Sequence, residues 1–493
     1  MDTKEGWIMD DIFTELIRRY SPQEIMIQLY QLSLRVMENG NKGFLNIPRY
    51  VCIGNRVYVK DQIILPVWKI PEIVYWSIIK SNDYRNKRLC IVDLFEIIDE
   101  FYDFDDNRTD VSFLRDANIN EISQFLFGNM GEQEQFQNLQ WILNSFNRNY
   151  HILIGSKKIK RMIKNNCEQI IQKEIGVNVH VFCKILIMLI GICRRTQQPL
   201  KCNDIKFLGV KQEEFARVIN YYTVDYDEIR SSSLGTQIFY TKPFVKTKKP
   251  EKVLAVTYHQ VAFLVANGLY WGIRNYYNKS GTQEFVNAFG NMFEEYLLEL
   301  SEQYLSSYEF EHLRHYNKKI ADFRYEFEEC IVLVEQKSAL LTLDSKSQSP
   351  NMENIRTFLR RNIKEAYDQL EETAYRESGV KPVLKFILLY ENIQNAQLMQ
   401  VSMPEIFKND FRCFIVGIAE FEQILRIRKE NPRIWKKLIE QLLANEKGNL
   451  SIAHTLHNLN GFKYSNIFTK DNNYAQRYFD EMKTFYDNEG RYT

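Results

Sequence analysis

Asp322, Glu335 and Lys337 are the residues of this chain whose types and spacing best suit joint chemistry. Ile331-Val332-Leu333-Val334 is an apolar run closed by Glu335-Gln336-Lys337, and Asp322 precedes it across the acidic pair Glu328-Glu329. A hairpin with strands over 319–327 and 330–343, turning at Glu328-Glu329, sets Asp322 directly opposite Glu335, with Cβ atoms about 4.5–5.5 Å apart. Alternation along a strand puts Lys337 on the same face as Glu335. Two opposed carboxylates repel unless a cation or a proton lies between them. Oxygen donors without Cys or His favour Mg²⁺, with Mn²⁺ as a substitute; Mg²⁺ takes one or two carboxylates and completes its shell with water and phosphate oxygens. Asp322 and Glu335 are therefore the expected metal ligands, and Lys337 the group that orients an attacking water or helps deprotonate it. The competing reading is an ordinary ion pair on a two-stranded ribbon.

A preceding helix, from the Ser280-Gly281-Thr282 turn to about Leu305, carries Phe285, Phe289, Met292, Phe293, Tyr296 and Leu300 at helical spacing. Its polar stripe, Asn291, Glu295, Glu299 and Glu302, is expected in solvent. Glu294 falls at the edge of the apolar face, where an acid is uncommon unless paired or metal-bound, and is a candidate further ligand or water-holder. Its alternative is a side chain reaching out to solvent at the rim. A second helix, from about Met352 to Tyr375, buries Ile355, Leu359, Ile363, Ala366 and Leu370. Arg356, Arg360 and Lys364 recur beside that stripe and could track a nucleic-acid backbone, although such a face is often merely solvated.

Residues 284–420 resemble the core of the PD-(D/E)xK, or restriction-endonuclease-like, nuclease superfamily. The resemblance rests on Gly290-x-x-Phe293-Glu294-x-Tyr296, Ala321-Asp322-Phe323 and Glu335-x-Lys337. It extends through the second helix, a strand over 382–390 and a strand over 412–418 running into a helix through Phe421-Glu422. It implies an α-β-β-β-α-β core, Asp322 and Glu335 as metal ligands, Lys337 as catalytic lysine and Glu294 as the helical acid. Gln369 loosely matches a polar residue that many members carry on the second helix. Ala321 stands where many members have Pro.

The chain has 493 residues and a net charge of +1, so any nucleic-acid surface must be local. Its length suits two or three domains. Eight cysteines show no C-x-x-C pair, which fits a reducing, cytoplasmic setting. The apolar run Val179 to Cys193 contains His180 and Lys184 and is too short to cross a bilayer, so a buried helix and no membrane are expected. Residues 7–40 read as helices, Val51 to Pro66 as a small hairpin around Gly54-Asn55, and Glu72 to Cys193 as mostly helical. A lysine-rich stretch between Tyr221 and Lys252 reads as an extended connector, and Val253 to Tyr277 as a helix.

The expected fold class is α+β. A mostly helical recognition or interaction region (1–250) is followed by a connecting helix (251–280), a mixed-sheet nuclease-like core (281–425) and a helical tail (426–493). His312-x-x-His315 and His454-x-x-His457 have zinc-like spacing but lack Cys or acid partners at signature distance. Lys157 to Lys164 reads as a basic amphipathic helix that is solvated or docks on nucleic acid. The residues and the resemblance together imply a Mg²⁺-dependent endonuclease that hydrolyses nucleic acid, DNA ahead of RNA. By analogy alone its role is microbial defence against foreign DNA. Alternatives are a non-catalytic helical scaffold or nucleic-acid sensor with a decayed nuclease fold, and a transposition or repair endonuclease subunit. A homodimer and a partner protein both stay open.

Overall fold

The computed structural model describes residues 11–38, 43–53, 56–81, 84, 87–106, 117, 121–122, 139–195, 200–201, 209–248, 252–313, 320–342, 345, 351–377, 379, 381–390, 400, 403–407, 410–445, 451–459 and 467–489. The fold is α+β, with three sheets set among many helices.

Helices Ile12–Ile17 and Pro22–Glu38 open the chain, the first capped by the Asp11 side chain accepting from Thr14 N. An antiparallel hairpin follows, β1 (Phe44–Ile53) with β2 (Arg56–Pro66), bulged between Arg49 and Tyr50. Its Gly54-Asn55 turn lies outside the described residues. Helices Ile70–Lys80 and Ile91–Asp106 close a first core around Phe13, Ile73 and Phe101.

Phe239, Val245 and Leu254 belong to that same core, which corrects the expectation of an extended connector at 221–252. The segment contributes β4 (Thr223–Val224), β5 (Phe244–Lys246) and β6 (Lys252–Ala255). With β3 (Leu200–Lys201) they form a four-stranded sheet in the order β3-β6-β5-β4. Short apolar triplets between the lysines supply enough burial to fold it. Val253 to Ala255 is likewise strand rather than the start of a helix. A short apolar run has no period to separate the two. The helix begins at Tyr258, where the Thr257 side chain accepts from Gln260 N, and runs to Lys279.

The helix Val179–Arg195 is buried as expected, and among the described residues no single helix is long and apolar enough to cross a membrane. A second, continuous core runs from Phe146 and Leu186 through Ile273 to Phe293, Val334 and Trp435. The helical region and the site-bearing sheet are thereby packed on one another.

That sheet has five strands: β7 (Phe310–His312), β8 (Phe323–Glu326), β9 (Ile331–Lys337), β10 (Val383–Leu389) and β11 (Cys413–Gly417), in the order β11-β10-β9-β8-β7. β7, β8 and β9 pair antiparallel, and β9, β10 and β11 parallel. Val332, Val334, Phe386 and Val416 share the core that holds the helices Glu284–Tyr304 and Ile418–Glu430. Ile331, Leu333, Ile387 and Ile415 pack with Ile355, Leu359, Ile363 and Leu370 of the helical stretch 352–376. Strands covered on both faces read as unbroken apolar runs, as β9, β10 and β11 do. The stretch 352–376 widens into a π-helical turn over Leu359–Lys364.

Candidate active site

The β8–β9 register pairs Phe323 with Val334, Arg324 with Leu333 and Glu326 with Ile331, and Phe327 N donates to Cys330 O across the Glu328-Glu329 turn. The ladder ends at Phe323, so the expected pairing of Asp322 directly opposite Glu335 is not formed: Asp322 lies just beyond β8, against Val334. Asp322 N donates to Val334 O at 3.0 Å and Asp322 Oδ2 accepts from Gln336 N at 2.8 Å. Both carboxylates are buried, Asp322 at 6% exposure and Glu335 at 2%. Lys337 Nζ donates to Glu335 Oε1 at 2.7 Å and to Gln369 Oε1 at 3.3 Å. Two acids, one ammonium and one amide therefore meet at the end of β9, with Lys337 the most exposed of the three charged groups.

Glu294 is held differently. Its Oε1 lies 2.5 Å from His312 Nε2, and the His312 ring stacks on Phe323, its partner across the β7–β8 pair. Its helix passes the end of β9: a Cβ on Gly290, one turn earlier, would stand 3.5 Å from Ser338 Oγ. Among the described residues no three His, Cys, Asp or Glu side chains converge as a metal cage, so Glu294 is not gathered with Asp322 and Glu335 as a third ligand. The remaining donor set, one carboxylate on β9 and one just before β8, fits Mg²⁺, which needs no more than two.

The polar stripe on the Glu284–Tyr304 helix is solvated as expected at Asn291 and Glu302 but not at Glu295 and Glu299. Glu295 pairs with Lys158, and Glu299 accepts from His151 Nε2 and Ser156 Oγ, each at 2.7 Å. Burial pushes the Glu299 carboxyl up, but those hydrogen bonds outweigh it and hold the group below its ordinary range. The partners come from 151–161, where the basic stretch forms a 3₁₀ turn at Ile159–Arg161 rather than an amphipathic helix. Of the basic row, Arg356 meets Glu121 at 3.4 Å, Lys364 meets Asp368 at 2.6 Å, and Arg360 is exposed. His454 contacts Asn458, and His315 lies outside the described residues.

No protein family, curated protein or solved structure matches this chain. Two features escaped the sequence. One is Thr373, whose Oγ1 accepts from Ala321 N at 2.8 Å; its spacing of four from Gln369 was the available signal. The other is Arg148, which forks onto Glu422 at 2.5 and 2.7 Å while Tyr296 Oη donates to the same acid at 2.7 Å. These partners lie far apart in the chain, and no local pattern joins them.

Proposed function

We propose that the protein is a Mg²⁺-dependent nuclease of the PD-(D/E)xK type, cleaving phosphodiester bonds of nucleic acid, DNA ahead of RNA. The observation that carries this reading is the meeting of Asp322, Glu335 and Lys337 at the end of β9. The order of helix, three antiparallel strands, long helix and parallel strand around them also supports it.

Asp322 and Glu335 would hold the cation, which when bound acidifies a water and offsets charge growing on the phosphate. The chain's own part is positional. Glu335 and Gln369 take two of the three N–H donors of Lys337 and hold its ammonium at the end of β9, where it would orient the attacking water. The Gln336 N–H fixes the rotation of the Asp322 carboxylate. Glu294, tied to His312, would act at the rim of this site, and Arg356, Arg360 and Lys364 would lie along the nucleic-acid backbone. A cytoplasmic setting accords with six free cysteines among the described residues. Defence against foreign DNA is the biological role we favour, by analogy.

The test is plasmid and RNA cleavage in Mg²⁺ by the wild type, Asp322→Ala and Lys337→Ala, with circular dichroism to verify folding. The proposal expects each variant to lose at least about a hundredfold in rate. Undiminished cleavage by either folded variant removes the mechanism.

A further inference from the structure

Asp322 is held by the sheet, but the residues that lead into it are not. β8 begins at Phe323, and Ile320 and Ala321 lie outside any strand. Their backbone is held by two side chains one turn apart on the helix Glu365–Arg376. Gln369 Nε2 donates to Ile320 O at 3.3 Å, and Ala321 N donates to Thr373 Oγ1 at 2.8 Å. Both polar groups of the Ile320–Ala321 peptide are thus anchored to one helix face.

The Thr373 hydroxyl is itself oriented. It donates to Gln369 O at 2.8 Å, which commits its hydrogen to the helix and leaves its lone pairs for the Ala321 N–H. Thr373 is 5% exposed and Ala321 is fully buried, so water does not replace this bond if it is lost. A proline at 321 would have no N–H to give. Gln369, whose amide nitrogen holds Ile320, receives Lys337 on its amide oxygen. One turn of helix therefore sets the peptide entering Asp322 and the ammonium beside Glu335.

We infer that Thr373 is a positioning residue of the proposed metal site: it acts through Ala321 and Gln369 to hold Asp322 and Lys337 in place at the end of β9. This rests on the nuclease reading and adds to it a residue that touches neither metal nor substrate. Displacement of a reacting group by about 1 Å can cost two orders of magnitude in rate. A lost anchor at this distance is expected to act on turnover and metal affinity more than on substrate binding.

The test compares wild type, Thr373→Val and Thr373→Ser in two assays, steady-state DNA cleavage in Mg²⁺ and Mn²⁺ binding by calorimetry. Valine keeps the shape and removes the acceptor, whereas serine restores it. Expected for Thr373→Val is a fall of about tenfold or more in kcat, a KM for DNA within about twofold of wild type, and Mn²⁺ binding weakened severalfold. Thr373→Ser returns both to near the wild-type values. If Thr373→Val does not fold, Thr373→Ala removes the same acceptor without crowding and is read in the same way. A valine or alanine variant that cleaves and binds Mn²⁺ like wild type overturns the inference, as does a serine variant no better than valine. A wild type that neither cleaves nor binds Mn²⁺ is a different result, and it overturns the nuclease reading on which this inference stands.

Discussion

The clusters Lys69–Glu72–Asp105 and Asp322–Glu335–Lys337 have the same composition, two carboxylates and one lysine, and the acids of both are buried. Their geometry differs. In the first, Lys69 Nζ sits between the acids, 3.1 Å from Glu72 and 2.8 Å from Asp105, and so neutralises both ends of the cluster. In the second, Lys337 is drawn to Glu335 and Gln369, while Asp322 is pinned by a backbone N–H. The ammonium holds one acid and the main chain holds the other. The first arrangement is a closed structural joint between the helices Ile70–Lys80 and Ile91–Asp106. The second suits a cation that is not part of the chain. Two acids and a lysine are thus no site in themselves; what decides is where the lysine stands.

Replacing each lysine by methionine should separate the two most widely. Lys69→Met leaves two buried acids without their cation and is expected to lower stability by about 3 kcal/mol or more in urea denaturation, with cleavage per folded molecule unchanged. Lys337→Met is expected to abolish cleavage. If Lys69→Met abolished cleavage in folded protein, or Lys337→Met spared it, the contrast would be lost.

A change of pH should act on the first cluster next. Burial, opposed by Lys69 and reinforced by Asp105, pushes the Glu72 carboxyl up to about 7 from an ordinary value of 4.5. The folded protein then binds this proton more tightly than the unfolded chain. The resulting stabilisation is complete below pH 4.5 and fades as pH rises through 7. Glu72→Gln keeps the uncharged form throughout, so its stability should gain on wild type across that window by on the order of 3 kcal/mol. A difference that stays constant with pH would show that Glu72 does not titrate there.

The smallest effect belongs to the stability of the candidate site. Asp322→Asn removes one of the two buried acids' charges and keeps an oxygen to accept from Gln336 N. Its stability without added metal should stay within about 1 kcal/mol of wild type or rise, since groups kept for function are often not the most stable choice. A loss of several kcal/mol would instead make Asp322 a structural acid like those beside Lys69.

Much of this was legible in the sequence where the cause is local. The Glu328-Glu329 turn and the apolar run Ile331 to Val334 define the β8–β9 register, and the spacing of Ile355, Leu359, Ile363 and Leu370 defines the helix opposite. The strands came out shorter than expected, ending at Phe323 and Lys337 where their neighbours β7 and β10 stop pairing. What could not be read depends on distant partners. Asp105 finds Lys69, and Glu294 finds His312, through packing that no periodicity records. Phe244 looked like an interruption in a lysine-rich connector, and Leu254 like the start of a helix, because a three- or four-residue strand carries too few residues to show alternation.

The account depends on Asp322 and Glu335 acting together on one divalent cation. Calorimetric titration of Mn²⁺ into wild type, Asp322→Asn and Glu335→Gln tests it most directly. The account predicts saturable binding to wild type that is lost in each single variant while both stay folded. Absence of binding to wild type, or binding unchanged in either variant, would contradict it.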